Sequence, residues 1–374
     1  MNEDKATRYN RRKRQARLGS LAWTVVLLAS LVLSGESVAL RSLAGSAVAD
    51  APLFARSALL VVAYSVLLMI LVATADLPFA FYGDFVLERR YGLSNQSFRT
   101  WIADQGKSLA IQILLGTAAA AAVYSFIRRS PGAWWLPAGV MFALFTCALA
   151  NLAPVVLLPL FYELKPLDRE SLRSRLIALA DRAGARVLGA YEWGLSEKTK
   201  AANAALAGLG RTRRILVSDT MLAAYSDDEI EIVLAHELAH HVHGDIWRTL
   251  GLESALVFAG LYLAARALEA FGAIAGLLGP DDVAGLPLLV LAAGAVSLVA
   301  LPAAHAASRA HERRADRFAL TLTKNPAAFI SAMRRLAAQN LAEEHPSKVV
   351  QWLFYSHPPI RDRIAAAETF GTDD

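Results

Sequence analysis

Long apolar runs separated by short polar stretches dominate this chain, and crossing a hydrocarbon layer as a helix takes about 20 mainly apolar residues. Runs of that kind predict membrane spans at Leu18 to Leu33, Ser57 to Ala80, Ser108 to Ile127, Ala133 to Leu160, Leu250 to Ala265 and Val283 to Ala307, six in all. The apolar stretch from Phe271 to Leu278 either extends the fifth span or turns at the interface. Between the fourth and fifth spans the pattern changes. From Asp168 to Ala183, Leu172, Leu176, Ile177 and Leu179 fall on one side and charges on the other, which predicts an amphipathic helix. Val187 to Trp193, Asn203 to Leu206 and Arg214 to Val217 read as short strands, punctuated by Gly184, Gly194, Gly208 and Gly210.

Composition agrees with a membrane setting. Hydrophobic residues make up 55% of the 374 residues and charged ones only 19%, outside the usual range for a soluble domain. The net charge of +5 has a local origin, since Arg8, Arg11, Arg12, Lys13, Arg14 and Arg17 crowd the approach to the first span. Basic residues beside a membrane helix stay on the cytoplasmic side. A nucleic-acid patch is the rival reading, but the position directly before a span favours anchoring, and no nucleic-acid partner is expected. The run is long, lacks a small-x-small cleavage site and precedes further spans, so a retained anchor is expected in place of a signal peptide.

Six spans from a cytoplasmic start place Phe81 to Lys107, Tyr162 to Arg248 and the C-terminal tail on that same side, with both termini cytoplasmic. Those segments carry most of the Lys and Arg, whereas Phe271 to Asp282 has none. Arg41, Arg56, Arg128 and Arg129 fall on the opposite side and count against the scheme. Cys147, the only cysteine, lies in an apolar span; no internal disulfide can form, and packing is its expected role.

Candidate chemistry lies at His236-Glu237-Leu238-Ala239-His240. On a helix, side chains at i and i+4 point the same way, so both imidazoles can grip one metal ion while Glu237 reaches water beside it. The helix itself is well marked. Ser226 and Glu229 form a capping-box pattern, acidic residues fill the first turn, and Gly244 is placed to end it. A catalytic zinc takes three protein ligands and leaves one position open. His241 points away from the His236 and His240 face, whereas His243 returns to it and stays open as a third donor. The alternative is Glu312, in Ser308-Arg309-Ala310-His311-Glu312-Arg313-Arg314-Ala315-Asp316, where Glu312 and Asp316 share a helix face. Alone, that segment also reads as an exposed helix laced with ion pairs.

Five stretches in order carry a resemblance. They are Phe81 to Gly92, Leu160 to Leu167, Asn203-Ala204-Ala205 with Arg213 to Thr220, the two helical motifs, and His357-Pro358-Pro359 followed by Arg363. The chain resembles the M48 family of metallopeptidases, and among them the membrane-embedded type I CAAX prenyl endopeptidases, from about residue 76 to about residue 365.

That resemblance implies a mainly α fold, a multi-pass membrane helical bundle with a small α+β zincin-like catalytic domain. It implies one Zn2+ per chain held by His236, His240 and Glu312, Glu237 as general base, and Asp316 as the carboxylate orienting a ligand. Asn203 is expected to hold the substrate backbone, with His357 and Arg363 stabilising the intermediate. The sequence departs from the pattern at Ala205, where an aromatic often follows the Asn-Ala pair, and in its span count, since seven is usual.

The expected organisation is a basic tail, first span and loop over 1–55, membrane helices and a loop over 56–161, and a catalytic part with the zinc helix over 162–248. Membrane helices then fill 249–307, and a third-ligand helix with the C-terminal catalytic segment fills 308–374. The expected partners are the lipid bilayer and a peptide or protein substrate, prenylated or membrane-embedded. The Ala- and Arg-rich composition hints at a bacterial inner membrane, where removal of damaged membrane proteins is the alternative activity. A scaffold or transporter keeping zinc only for folding is a further alternative, but a structural site usually closes with four protein ligands and needs no adjacent glutamate base.

Overall fold

The computed structural model describes residues 4–152, 156–208 and 212–370. Six helices in it are long and apolar enough to cross a membrane, in the regions the hydropathy pattern marks. The first is α1 (Lys5–Leu33), followed by the short α2 (Glu36–Ala47) and then α3 (Leu53–Ala80). The chain does not leave α3 as a loop. It widens into one π-helical segment, Phe81–Val86, and continues as α4 (Leu87–Arg90), so much of the expected Phe81 to Gly92 loop is helical. Next come α5 (Phe98–Arg129) and α6 (Trp135–Leu152). The span expected to reach Leu160 is therefore described as helix only to Leu152; residues 153–155 lie outside the described residues, as does Gly210.

A short helix α7 (Leu158–Phe161) leads into the sheet strands β1 (Leu164–Pro166), β2 (Ala190–Trp193), β3 (Ala204–Ala207) and β4 (Arg214–Ser218), with α8 (Glu170–Arg182) after β1. The order is β1-β2-β4-β3, with β2 and β4 parallel and both outer pairs antiparallel. The sequence pattern missed β1. It is three residues long and ends in a proline, too short to show alternation and tolerated only on an edge. Helices α9 (Asp219–Ala224) and α10 (Asp227–Val242) follow, and α10 presses Ile230, Leu234 and Leu238 into a core shared with Leu172, Leu176 and Leu179 of α8 and Ile215 and Val217 of β4.

The capping box at the start of α10 forms as expected. Ser226 Oγ accepts from the Glu229 N–H, and Glu229 returns a carboxylate oxygen to the Ser226 N–H at 2.8 Å. The other Glu229 oxygen accepts from Ser331 at 2.5 Å and Arg335 at 2.9 Å. Burial opposes ionisation of Glu229, but these donors outweigh it and hold the carboxyl below its usual range. One buried carboxylate thus starts the helix and ties it to α13 (Pro326–Gln339).

Beyond Gly244, whose φ of 67° suits glycine, α11 (Asp245–Phe271) re-enters the apolar region and α12 (Leu286–Thr323) returns antiparallel to it. At 38 residues α12 is the longest helix, and it runs unbroken through position 307 into the Glu312 segment. The chain closes with α13, α14 (Lys348–Phe354) and α15 (Ile360–Glu368).

Electrostatic contacts join the ends of the chain. Lys13 meets Glu88 at 2.6 Å, Arg14 meets Glu343 at 2.6 Å, and Asn10 donates to the Leu341 carbonyl at 2.7 Å. The basic run before the first span is therefore helical and partly spent on internal pairs that bring the N-terminal helix against the C-terminal segment. At the other end of the bundle, Arg41 pairs with the buried Asp282, so its charge is met inside the protein.

Helices α11 and α12 approach closely at Gly260, where an added Cβ would stand 3.2 Å from the Ala293 carbonyl oxygen and 3.3 Å from its Cα. Backbone atoms cannot swing aside, so small residues are required there. Gly260→Leu is expected to cost about 1–3 kcal/mol and to lower the melting temperature in detergent. Gly251→Leu, at a position with nothing within 4 Å, is expected to leave it unchanged. Equal melting temperatures for the two variants would show that the helices separate freely.

Candidate active site

Helix α10 supplies two imidazoles and α12 supplies a carboxylate, because the two helices cross at this depth. His236 and His240 stand one turn apart with their rings 5.0 Å between centroids. Glu312 reaches between them, with Oε2 3.1 Å from His236 Nε2 and Oε1 3.3 Å from His240 Nε2. One ligand atom from each of the three lies within 4.8 Å of the others. Glu312 Oε2 is buried with no hydrogen-bond partner. Two Nε2 atoms and an unsatisfied carboxylate oxygen thus aim at one region, which fits a single divalent cation. His243, left open as a third donor by spacing alone, is turned elsewhere; its ring packs edge-on against Phe318 at 5.5 Å. His241 borders the same cleft as His240 but is not one of the three convergent donors, and burial pushes its imidazole down to about 4.

Behind the rings stand two more carboxylates. His236 Nδ1 faces Asp316 Oδ1 at 2.8 Å, and His240 Nδ1 faces Asp245 Oδ2 at 3.1 Å. A carboxylate on one ring nitrogen fixes the tautomer and turns the other nitrogen outward as a lone pair. Asp316 was legible from its i+4 spacing to Glu312. Asp245 was missed, although it lies only five residues beyond His240, because a residue past the Gly244 turn belongs to no shared helix face. Arg314 and His311 of α12 approach the second oxygen of Asp245, which pins the start of α11 to α12. Burial disfavours charge on His236, yet Asp316 and Glu312 outweigh it and push the imidazole up to about 9. A pocket that draws positive charge this strongly suits a metal cation.

Arg363 lies beside the histidine helix. Its guanidinium makes a two-pronged pair with Asp316, Nε to Oδ2 at 2.8 Å and Nη2 to Oδ1 at 2.6 Å, with Nη2 3.3 Å from His236 Nδ1. The group sits buried on the Nδ1 side of His236, opposite the side that Glu312 faces. The resemblance implied a role for Arg363 in stabilising the intermediate; in the fold its guanidinium is held by Asp316 beside His236, within electrostatic reach of Glu312 and Glu237. His357 does reach the front, with Nε2 3.4 Å from Glu312 Oε1 and Nδ1 2.9 Å from Ser356 Oγ.

Glu237 opens, with His240, Asp245 and Glu312, into a cleft of about 460 Å³ that also borders Leu206 of β3. Desolvation by burial raises the proton affinity of its carboxyl. Asn203 stands exposed just ahead of β3, its N–H donating to Ser218 Oγ at 3.0 Å and its carbonyl accepting from the Ser218 N–H at 2.9 Å. β3 has one unpaired edge in the sheet, and α10 packs against this strand.

Asp245→Asn is expected to weaken divalent-cation affinity about 10- to 100-fold, measured by competition with a chelator, because the amide no longer selects one tautomer of His240. An unchanged affinity would mean that packing alone orients the ring.

Comparison with known proteins follows the same lines. Residues 166–370 match the model of Peptidase family M48, and residues 2–163 match that of the CAAX prenyl protease N-terminal region, described as five membrane helices. An uncharacterized metalloprotease, YhfN of Bacillus subtilis, is 32% identical over 82% of this chain and 73% of its own length. CAAX prenyl protease 1 of Saccharomyces cerevisiae is 26% identical over 81% of this chain and 70% of its own. The crystal structure of S. mikatae Ste24p superposes with a TM-score of 0.86 over 97% of this chain and 88% of that one at 21% identity, a likeness of fold. The family match covers β2 to β4, the histidine helix and the Glu312 segment together, and so the chain belongs to peptidase family M48 and is a membrane zinc metalloendopeptidase.

Proposed function

We propose that this protein cuts peptides carrying an isoprenoid near their C-terminus, as a CAAX-type endopeptidase working at the cytoplasmic face of a bacterial inner membrane. The observation that carries the reading is the presence in one fold of two features, which share no lining residue. The His236, His240 and Glu312 cluster sits at the end of a helix bundle enclosing a cavity of about 800 Å³, lined by apolar side chains such as Leu28, Leu68, Met69, Phe142, Leu261 and Leu289. An apolar chamber suits a hydrocarbon chain. The names of the yeast and plant relatives, CAAX prenyl proteases, support the same substrate class.

His236, His240 and Glu312 would hold zinc, with Asp316 and Asp245 fixing the two rings. When bound, zinc supplies Lewis acidity, which acidifies water and polarises the scissile carbonyl. Glu237 takes the water proton, and its raised proton affinity lets it carry that proton to the leaving amine. The water oxygen first adds to the carbonyl carbon, moving the C=O electron pair onto oxygen; the carbonyl then re-forms, the C–N bond breaks and the proton held by Glu237 passes to the amine, leaving a carboxylate and an amine. His357 faces the reacting side and would donate to the developing oxyanion. Arg363 acts through Asp316, neutralising a buried carboxylate so that it can hold His236 without an uncompensated charge. A peptide added as a further strand at the β3 edge would be held by Asn203 and lie across the cleft. The meeting of the N-terminal basic helix with the C-terminal segment supports a common side for both, and the Lys and Arg distribution favours the cytoplasmic side.

Glu237→Gln is expected to keep its zinc while turnover falls by about 10²- to 10⁴-fold; retained cleavage would remove Glu237 as the base. Glu312→Ala should lower zinc content, read by metal analysis, and full stoichiometry in that variant would remove Glu312 from the ligand set. A farnesylated peptide compared with its unmodified twin tests the substrate, the expected gain in kcat/KM being at least about tenfold. Equal rates would favour the alternative, clearance of damaged membrane proteins.

A further inference from the structure

Helix α14 raises a question of its own, since it presents Val349 at 66% and Trp352 at 54% exposure on a segment of only seven residues. Positions three apart share a helix face, so the two form one apolar patch. Single exposed apolar residues need no explanation. Where this pair sits does.

Helix α12 fixes the height. A helix rises about 1.5 Å per residue, and about 30 Å of hydrocarbon consumes about 20 residues, so a span starting at Leu286 leaves the hydrocarbon near residue 305. His305 Nδ1 donates to the Leu353 carbonyl at 2.9 Å. One turn on, Arg309 Nη1 donates to the Gln351 carbonyl at 3.1 Å and the Tyr355 carbonyl at 2.6 Å. Three carbonyls at the end of α14 are thus tied to α12 where the hydrocarbon stops. His305 also lies four residues beyond Leu301 and seven beyond Leu298, both exposed on the outer surface of the bundle. The stripe that faces lipid along the span therefore runs directly beneath α14. Lys348 opens α14, exposed beside Val349, as basic residues do on helices lying in an interface. Trp is the aromatic favoured at headgroup depth.

We infer that α14 is an interfacial helix, seated through Val349 and Trp352 in the headgroup layer of the leaflet at the catalytic face. The occupant is phospholipid of the same membrane the spans cross, continuous with the surface that Leu298 and Leu301 already offer. The seat lies close to the chemistry, since His357 follows Tyr355 by two residues. It does not depend on which peptide is cut.

The test uses the full chain in vesicles of zwitterionic and anionic phospholipid, with Cys147→Ala to remove the native thiol and a nitroxide at Val349→Cys. Labels at Val299→Cys, exposed within the α12 span, and Asp181→Cys, exposed on α8, mark hydrocarbon and water. Collision with a water-soluble nickel chelate is expected to fall at least about twofold below that at Asp181, with oxygen collision rising toward that at Val299. Adding Trp352→Glu should return the Val349 label toward the Asp181 value. Nickel access equal to that at Asp181, no response to Trp352→Glu, or protection that appears only as protein density in the vesicles rises would each overturn the inference, the last by marking a second copy of the chain as the occupant.

Discussion

The carboxylate behind each histidine is the contact on which the site depends. Asp316 on His236 and Asp245 on His240 are separated by 71 positions in the chain, yet each fixes a ring nitrogen so that the other points to the same region as the Glu312 carboxylate. Two imidazoles one turn apart on a helix do not by themselves form a metal centre, because each ring can rotate and choose either tautomer. Freezing both choices with buried carboxylates gives three donors one common target, and the charge of those carboxylates makes that target favourable for a cation.

Buried carboxylates carry a desolvation cost, and the fold answers each one. Asp316 receives Arg363 from α15, Asp245 receives Arg314 from α12, and Glu229 receives Arg335 and Ser331 from α13. The pairs from α13 and α15 are also the clamps that hold the C-terminal helices against α10 and α12, while the Asp245 pair ties α11 to α12, so the electrostatics of the site and the docking of the C-terminal segment are one set of interactions. Removing one partner would leave an unpaired charge inside, which is far costlier than losing a surface ion pair.

α12 joins the membrane to the chemistry. It begins among apolar side chains at one end of the bundle and delivers Glu312 and Asp316 at the other without a break, so the position of the carboxylates follows rigidly from how the helix sits in the membrane. The N-terminal helix closes the arrangement from the opposite end of the sequence. Its Lys13 reaches Glu88, and its Arg14 reaches Glu343, which sets the start of the chain against a residue 329 positions later.

Much of this was already written in the sequence wherever the cause is local. Apolar runs of sufficient length mark the spans, since helical hydrogen bonds close within four residues and lipid leaves no alternative partner for the backbone. The capping box and the His236 and His240 spacing mark the metal helix for the same reason. Local rules do not reach across a turn or between helices. Hence Asp245 was invisible beyond Gly244, His243 and Glu312 could not be separated as third donors, and the pairing of Arg363 with Asp316 was not foreseen. The packing of α10, α11 and α15 on α12 decides those three matters, because the angles between packed helices follow from side-chain shape along the whole contact and no residue spacing encodes them.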